Sequence, residues 1–306
     1  MSAAPLRLAL VQCVAHVCEG RDRRVLDELT APLRAVAGTR VADVHMDPDD
    51  HRSVITLLGP PASIEQAALT LAGGVLARLD LRRHRGLLPR TGSLDLLPFV
   101  PLGSATMAQA ISLARRVGQE LARAHNLPVF FYGEAATRPE RRWLGGLRGA
   151  QYEGLPHKLA EAGWQPDAGP PRFDEMRGAV AVGARRAFVG FNVWLDTGKP
   201  EVAREVAVAV RESSGGLAGV QALGVGLPRR GIVQVAMYLL DVATSSVPAA
   251  FDRVRSEAAA RGVAVRRSEL VGLVPRDAFA GRTPESVGLV DFEPRQLLES
   301  HLPGDA

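Results

Sequence analysis

The sequence predicts an α+β protein: two ferredoxin-like βαββαβ subdomains packed around a central cleft. Apolar periodicity switches between strand and helix spacing in the same order, β, α, β, β, α, β, in each half of the chain. At 306 residues and 32.6 kDa the chain sits at the upper limit for one hydrophobic core, which favours two units. Hydrophobic residues make up 46%, charged residues 23%, and mean hydropathy is +0.03, the balance of an ordinary globular chain rather than a disordered or collagen-like one.

Residues 6–14, LRLALVQCV, read as a short apolar strand, and RDRRVLDELTAPLRAVA behind it sets Val25, Leu29, Leu33 and Val36 at helical spacing. TRVADVHM (39–46) and HRSVITLLG (51–59) are strand-like runs joined by the turn-forming DPDD. A helix entered through prolines (60–80), a strand LDLLPFVPL (94–102), a long helix ending at Asn126 and a strand PVFFYG (128–133) complete this half. Residues 133–178, rich in Gly, Pro and Arg and without strand alternation, read as a connector. After it, AFVGFNVWL, PEVAREVAVAVRESS, VQALGVGLP, IVQVAMYLL, VPAAFDRVRSEAAARG and VAVRRSELVGLV repeat the order. The expected division is 1–178, 179–280 and a loosely attached tail, 281–306. Each sheet is expected to carry helices on one face, with the bare faces burying each other and the cleft between them as the ligand site.

The formal charge of +4 is almost all arginine, with Lys158 and Lys199 the only lysines, and acidic residues interrupt it throughout. Without a clustered basic face and interleaved aromatics, nucleic acid is not an expected partner. The short clusters Arg82, Arg83, Arg85 and Arg138, Arg141, Arg142 suit an anionic small molecule instead. Cys13 and Cys18 can make neither a disulfide framework nor a CxxC site, which fits a reducing compartment. No apolar run reaches the roughly 18 residues of a membrane span, and the opening stretch lacks a signal-peptide pattern. The expectation is a cytoplasmic protein without a membrane partner, with a homodimer as one available assembly. GxxxxGK[ST], GxGxxG after a strand and GxSxG are all absent, which removes P-loop, dinucleotide-fold and nucleophile-elbow chemistries.

In a βαββαβ sandwich the first and second strands end, the third begins and the second helix ends at one edge of the sheet. Four of the seven histidines fall there: His16, His45, His51 and His84. Imidazoles so gathered can bind a transition metal or work as acid–base groups, and Asp43, Asp47, Asp49 and Asp50 stand close in sequence to orient them. The plainer reading is loop histidines on a solvated edge, and no HExxH spacing opposes it. The segment RHRGLLPRTGSLDLLPFVP (83–101) is an irregular loop at Gly86, Pro89 and Gly92, where Arg82, Arg83, Arg85 and Arg90 offer charge to carboxylates or phosphates. Its plainer reading is a solvated surface loop.

That segment, with CEGRD (18–22), HRSVITLLGPP (51–61), YGEAATRPERR (132–142), YEGLPHKL (152–159) and WQPDAGP (164–170), resembles the formiminotransferase domain of glutamate formiminotransferase. VGARRAFVGFNVWL, RESSGGLAGVQALGV and SELVGLVP extend the resemblance, which runs from about Cys13 to Pro275. It implies tetrahydrofolate as cofactor and transfer of a formimino group between formiminoglutamate and the folate N5. The family's folate-binding stretch falls on Gly169, Pro170, Pro171, Arg172, Phe173, Asp174, Glu175, Met176, Arg177 and Gly178. Arg52, Arg90 and Glu134, within matched motifs, are the candidate substrate-binding residues.

The departures fall on the chemistry. The family's HKGEHPRMG, whose second histidine is the catalytic acid/base, is HRGLLPRTG here, so Leu87 and Leu88 replace Glu and His. VPNFSEG becomes VAHVCEG, DVD becomes DVH and NRSV becomes HRSV, which installs His16, His45 and His51 and puts Cys18 in place of Ser. Two site expectations follow. His45, His51, His84 or Asp95 supplies the missing acid/base in a divergent, folate-dependent formimino or formyl transferase. Alternatively, His16, His45 and His51 form a facial site for a divalent transition metal (Fe, Zn, Cu or Mn) in a hydrolytic or oxidative metalloenzyme. A silent folate-binding paralogue is the third reading. Cys18 is expected to be a packed thiol rather than a ligand.

Overall fold

The computed structural model describes residues 8–148 and 151–302. The chain divides after Arg186 into two compact units.

The first unit is a six-stranded sheet in the order β2-β3-β1-β4-β6-β5. Its strands are β1 (Ala9–Val17), β2 (Arg40–Asp47), β3 (Arg52–Gly59), β4 (Leu94–Gly103), β5 (Val129–Gly133) and β6 (Val180–Ala184). The first four are antiparallel in the ferredoxin-like order, and β6 lies parallel between β4 and β5. Helix α1 (Arg23–Thr30) gives way to a 3-10 turn at Pro32, earlier than the periodicity suggests, because proline has no N–H to continue the ladder. Helices α2 (Pro61–Arg78) and α3 (Met107–His125) cover one face, packing Leu71, Val75, Leu113 and Val117 into one cluster with Cys13, Ile55 and Phe99. A Thr106–Gln109 capping box starts α3 and Asn126, at φ 52°, ends it.

The opposite face is not left bare as the sequence suggests. Two helices of the expected connector, α4 (Leu144–Arg148) and α5 (Gln151–Ala160), bring Leu147, Leu155 and Leu159 onto Leu96, Phe130, Tyr132 and Ala181. The connector also ends differently. VAVGA (180–184), a short run with no polar alternation, is buried on both faces as a central parallel strand, so the first unit runs to Arg186 and not to Gly178.

The second unit is a four-stranded antiparallel sheet in the order β10-β7-β9-β8, again ferredoxin-like. Its strands are β7 (Val189–Leu195), β8 (Val220–Leu227), β9 (Ile232–Leu239) and β10 (Val265–Val271). Helices α6 (Pro200–Val210) and α7 (Val247–Ala259) supply Val206, Val210, Phe251 and Val254 to its core. Through residue 302 the tail is attached rather than loose. Val287 and Leu289 join that core, and Leu298 N donates to the Val274 carbonyl at 2.9 Å. Residues 303–306 lie outside the described residues. No helix among the described residues is long and apolar enough to cross a membrane.

A bridge between Gly92 and Gly178 fastens the loop before β4 to the segment before β6. Ser93 N donates to the Arg177 carbonyl at 2.9 Å and Ala179 N to the Thr91 carbonyl at 3.0 Å. Gly178 sits at φ +70°, and a Cβ there would stand 2.2 Å from the Thr91 oxygen. Gly178→Ala is expected to cost about 1–3 kcal/mol, read as a lower urea midpoint at unchanged slope. Gly145→Ala, in the open space of α4, is expected to be neutral or slightly stabilising. Equal midpoints for the two variants would contradict the account of this bridge.

Candidate functional site

At the edge where β1 ends and β3 begins, three ionisable side chains are packed against one another. Glu19 leaves β1 and accepts from the backbone N–H of Arg21 at 2.7 Å and of Asp22 at 2.9 Å. The β2–β3 turn is shaped by Asp47, whose Oδ1 accepts from Asp49 N at 2.8 Å and Asp50 N at 3.0 Å. That turn leaves His51 in the left-handed region at φ 48°, a sparsely populated conformation for a residue with a Cβ. Its Nε2 faces Glu19 Oε1 at 3.5 Å, and its ring stacks on His84 with centroids 4.4 Å apart and planes 9° from parallel.

The protonation pattern follows from these contacts. His84 Nε2 lies 2.7 Å from the His51 carbonyl, which can only accept, so Nε2 carries the proton and Nδ1 a lone pair. Burial pushes the His84 pKa down to about 4, so the ring is neutral at neutral pH. Burial raises the Glu19 pKa, but the bonds from His51, Asp22 N and Arg21 N together outweigh it and hold the carboxyl at about 2. An ionised carboxylate thus faces His51 Nε2. Both His51 Nδ1 and His84 Nδ1 are buried, and neither has a hydrogen-bond partner among the described residues.

Behind these rings lies the loop that precedes β4. Asp95 is fully buried, paired with Arg52 at 3.2 Å and accepting from Thr91 N at 2.8 Å and Thr91 Oγ1 at 2.9 Å. Arg52 also donates to the Pro89 carbonyl at 2.7 Å. Arg90 is buried over the Tyr152 ring and meets Glu153 at 2.7 Å. Among the described residues Arg52 Nε, Arg90 Nε and Ser93 Oγ have no partners, so unmet polar atoms gather around this loop. Cys18 Sγ donates to the Gly92 carbonyl at 3.2 Å, the packed thiol expected from the sequence.

Beside Glu19 and the stacked histidines opens a cavity of about 430 Å³, also lined by Glu28, Asp80 and Arg83. The stretch Gly169–Gly178 borders the same region from Asp174 onward. Asp174 accepts from Met176 N and Arg177 N, Met176 O receives Leu81 N at 2.9 Å, and Phe173 packs on Tyr152. Arg172 and Glu175 are exposed.

Several sequence expectations change here. Among the described residues no three His, Cys, Asp or Glu side chains are grouped to hold a metal ion. The reason is strand order. His16 on β1 and His45 on β2 both pair with Val54 of β3, which leaves them two strand spacings, about 10 Å, apart, while His51 turns away to Glu19 and His84. Asp95 is committed to Arg52 and Thr91 and is structural rather than a free base. Glu134 follows the C-terminal end of β5, at the end of the sheet away from Arg90, and binds Arg142 at 2.9 Å. Glu19, Thr91 and Glu153 were not singled out by sequence, although Glu19 and Glu153 stand inside the matched motifs CEGRD and YEGLPHKL.

The depressed His84 value has a stability consequence. Between about 6.5 and about 4 the unfolded chain binds the proton and the folded chain does not, so stability falls as pH falls through that window. Glu19 adds a further loss from 4.5 towards about 2. His84→Gln keeps a donor for the His51 carbonyl without titrating. Its urea midpoint is expected to vary less than wild type between pH 6.5 and 4, with half-buried His125 supplying part of the remaining slope. An undiminished slope would contradict the burial of a neutral His84.

Comparison with known proteins places these features in a family. The model of the formiminotransferase domain, N-terminal subdomain, matches residues 10–185, and that of the formiminotransferase domain matches residues 190–283. The chain is 36% identical to a glutamate formimidoyltransferase of Streptococcus pyogenes serotype M1, covering 96% of this chain and 99% of that one. It is 35% identical to a glutamate formimidoyltransferase of Thermoplasma acidophilum, with 95% and 97% covered. It is 36% identical to the formimidoyltransferase-cyclodeaminase of Rattus norvegicus over 88% of this chain and 51% of the rat protein, about half its length. The chain belongs to the formiminotransferase family.

Proposed function

We propose that the protein is a folate-dependent one-carbon transferase that moves a formimino group between formiminoglutamate and N5 of tetrahydrofolate, with His51 as its acid–base residue. The observation that carries this reading is the Glu19–His51–His84 stack. A carboxylate orients one imidazole, a neutral imidazole stacks on its ring, and that oriented imidazole stands at a position where the family resemblance implies asparagine. Leu88, where the resemblance implies the usual histidine, has no proton to give or take.

Bound tetrahydrofolate supplies the nucleophile, N5. As the bond from N5 to the formimino carbon forms, His51 takes the N5 proton; as the bond from that carbon to the glutamate nitrogen breaks, His51 returns a proton to the leaving nitrogen. One C–N bond replaces another and no electrons are exchanged with a third party. Glu19 stabilises the imidazolium that exists between the two transfers, as a carboxylate does for any base it orients. Arg52 at the start of β3 and Arg90 in the loop before β4 offer positive charge to the carboxylates of both substrates. The Gly169–Gly178 stretch, seated on the same loop, is the proposed folate-contacting segment.

Incubation with tetrahydrofolate and formiminoglutamate, followed by mass spectrometry of the folate, is expected to show the formimino adduct. His51→Asn is expected to lower kcat/KM by about 10²–10⁴-fold while tetrahydrofolate still binds. Folate binding without any adduct in the wild-type protein would establish a silent binder instead. Full activity in His51→Asn would remove His51 from the mechanism.

A further inference from the structure

Three arginines of the described residues are buried, and they are neutralised in two ways. Arg52 pairs with Asp95 and Arg141 with Asp167, aspartates whose side chains are 0% and 5% exposed, so both partners of each pair are locked inside the protein. Arg90 is different. Its side chain is 7% exposed, but its partner, Glu153 at 2.7 Å, is 62% exposed. The arginine cannot follow an opening of this pair, because its chain neighbours are pinned, Pro89 by Arg52 and Thr91 by Asp95, and its guanidinium rests on the Tyr152 ring, 5.4 Å from the centroid. Tyr152 in turn donates to the Glu175 carbonyl and packs on Phe173. Glu153 is free to move. It stands in the first turn of α5 and forms no other ion pair among the described residues, so rotation of its side chain carries the carboxylate into water at little cost.

A fixed guanidinium covered by a removable carboxylate is a carboxylate site already filled by the protein's own chain. Nη2 and Nη1 of Arg90 both point to the Glu153 carboxylate, at 2.7 and 3.4 Å, the side-by-side arrangement that an outside carboxylate would take. We infer that Glu153 is an internal placeholder: it occupies the Arg90 fork while the site is empty, and a carboxylate of the substrate takes its place as Glu153 swings into solvent. The inference rests on the transfer reading above for the identity of that substrate, and adds to it a residue that sets affinity and specificity. One Arg–carboxylate pair replaces another, so the buried cation is never left unmatched, while the competition lowers the apparent affinity by the fraction of time the fork is open. A neutral amide gains less from a guanidinium than a carboxylate does and would not displace Glu153, so the exchange selects for charge.

The test is Glu153→Ala in the full chain. With the place vacant, the variant is expected to unfold at a lower urea concentration than wild type, and sodium acetate is expected to raise its midpoint over an equal concentration of sodium chloride by more than it does for wild type. That extra gain is expected to vanish in the double variant Arg90→Ala, Glu153→Ala. In calorimetric titration N-formiminoglutamate is expected to bind Glu153→Ala about 3–10-fold more tightly than wild type, the size of the half-exposed pair it no longer has to break. A merely structural Glu153 would give the opposite sign. Glu153→Gln keeps an acceptor for Arg90 without the charge; it is expected to fall between the two and carries the same test if the alanine variant does not fold. An acetate gain no larger than that of wild type would overturn the inference, as would unchanged, weaker or absent binding of N-formiminoglutamate to the variants. Acetate-dependent stability and tighter binding without transfer to folate would sustain the inference and remove the transfer reading; transfer with neither of them would do the reverse.

Discussion

The site hangs on the buried pair between Arg52 and Asp95. Arg52 opens β3 next to His51, and Asp95 sits at the start of β4, so this contact ties the two loops that carry the histidines. Both side chains are almost wholly buried, where an unmatched charge is costly and a matched one contributes chiefly by holding geometry. Asp95 uses its remaining capacity on Thr91, and Arg52 on the Pro89 carbonyl, so Pro89 to Thr91 cannot move independently of β3. Arg90 is aimed, and His84 is kept against His51, as a consequence. The glycines at 92 and 178 then let the Asp174–Gly178 segment close over the same loop.

Within that frame the electrostatics separate two imidazoles into two roles. His84 is drained of proton affinity by burial and spends its one N–H on a carbonyl, which makes it a rigid neutral surface. His51 has a carboxylate facing one nitrogen, while the other is buried with no partner among the described residues; on the proposed reading it is the oriented base. Its left-handed backbone is the kind of local strain that persists where surrounding contacts hold it, here the Asp47 turn and the stack with His84. A chain with Leu88 in the loop thus still places an imidazole at the same edge of the sheet, reached from the β2–β3 turn.

The ferredoxin-like order of both units was legible because alternation and helical spacing repeat in a fixed sequence, and each half then has one compact solution. The parallel strand Val180–Ala184 was not, since five small apolar residues after a Gly/Pro-rich stretch carry no period to read. The convergence of histidines on one edge followed from topology, and His51 and His84 do meet. The metal site failed because a shared edge is not proximity: one intervening strand keeps His16 and His45 apart, and no three such side chains are grouped among the described residues. Glu19 was not legible because a lone acid in CEGRD looks like a turn-forming residue, as its bonds from Arg21 N and Asp22 N make it; only the fold brings His51 to it.

The most direct test of His51 as the acid–base group is chemical rescue. His51→Gly removes the imidazole at a position whose backbone already favours glycine, and leaves a space for a free one. Added imidazole is expected to restore formimino transfer in that variant in proportion to its concentration, with no effect on wild type. A variant that transfers at the wild-type rate without imidazole, or one that binds folate but never responds to it, would contradict the account.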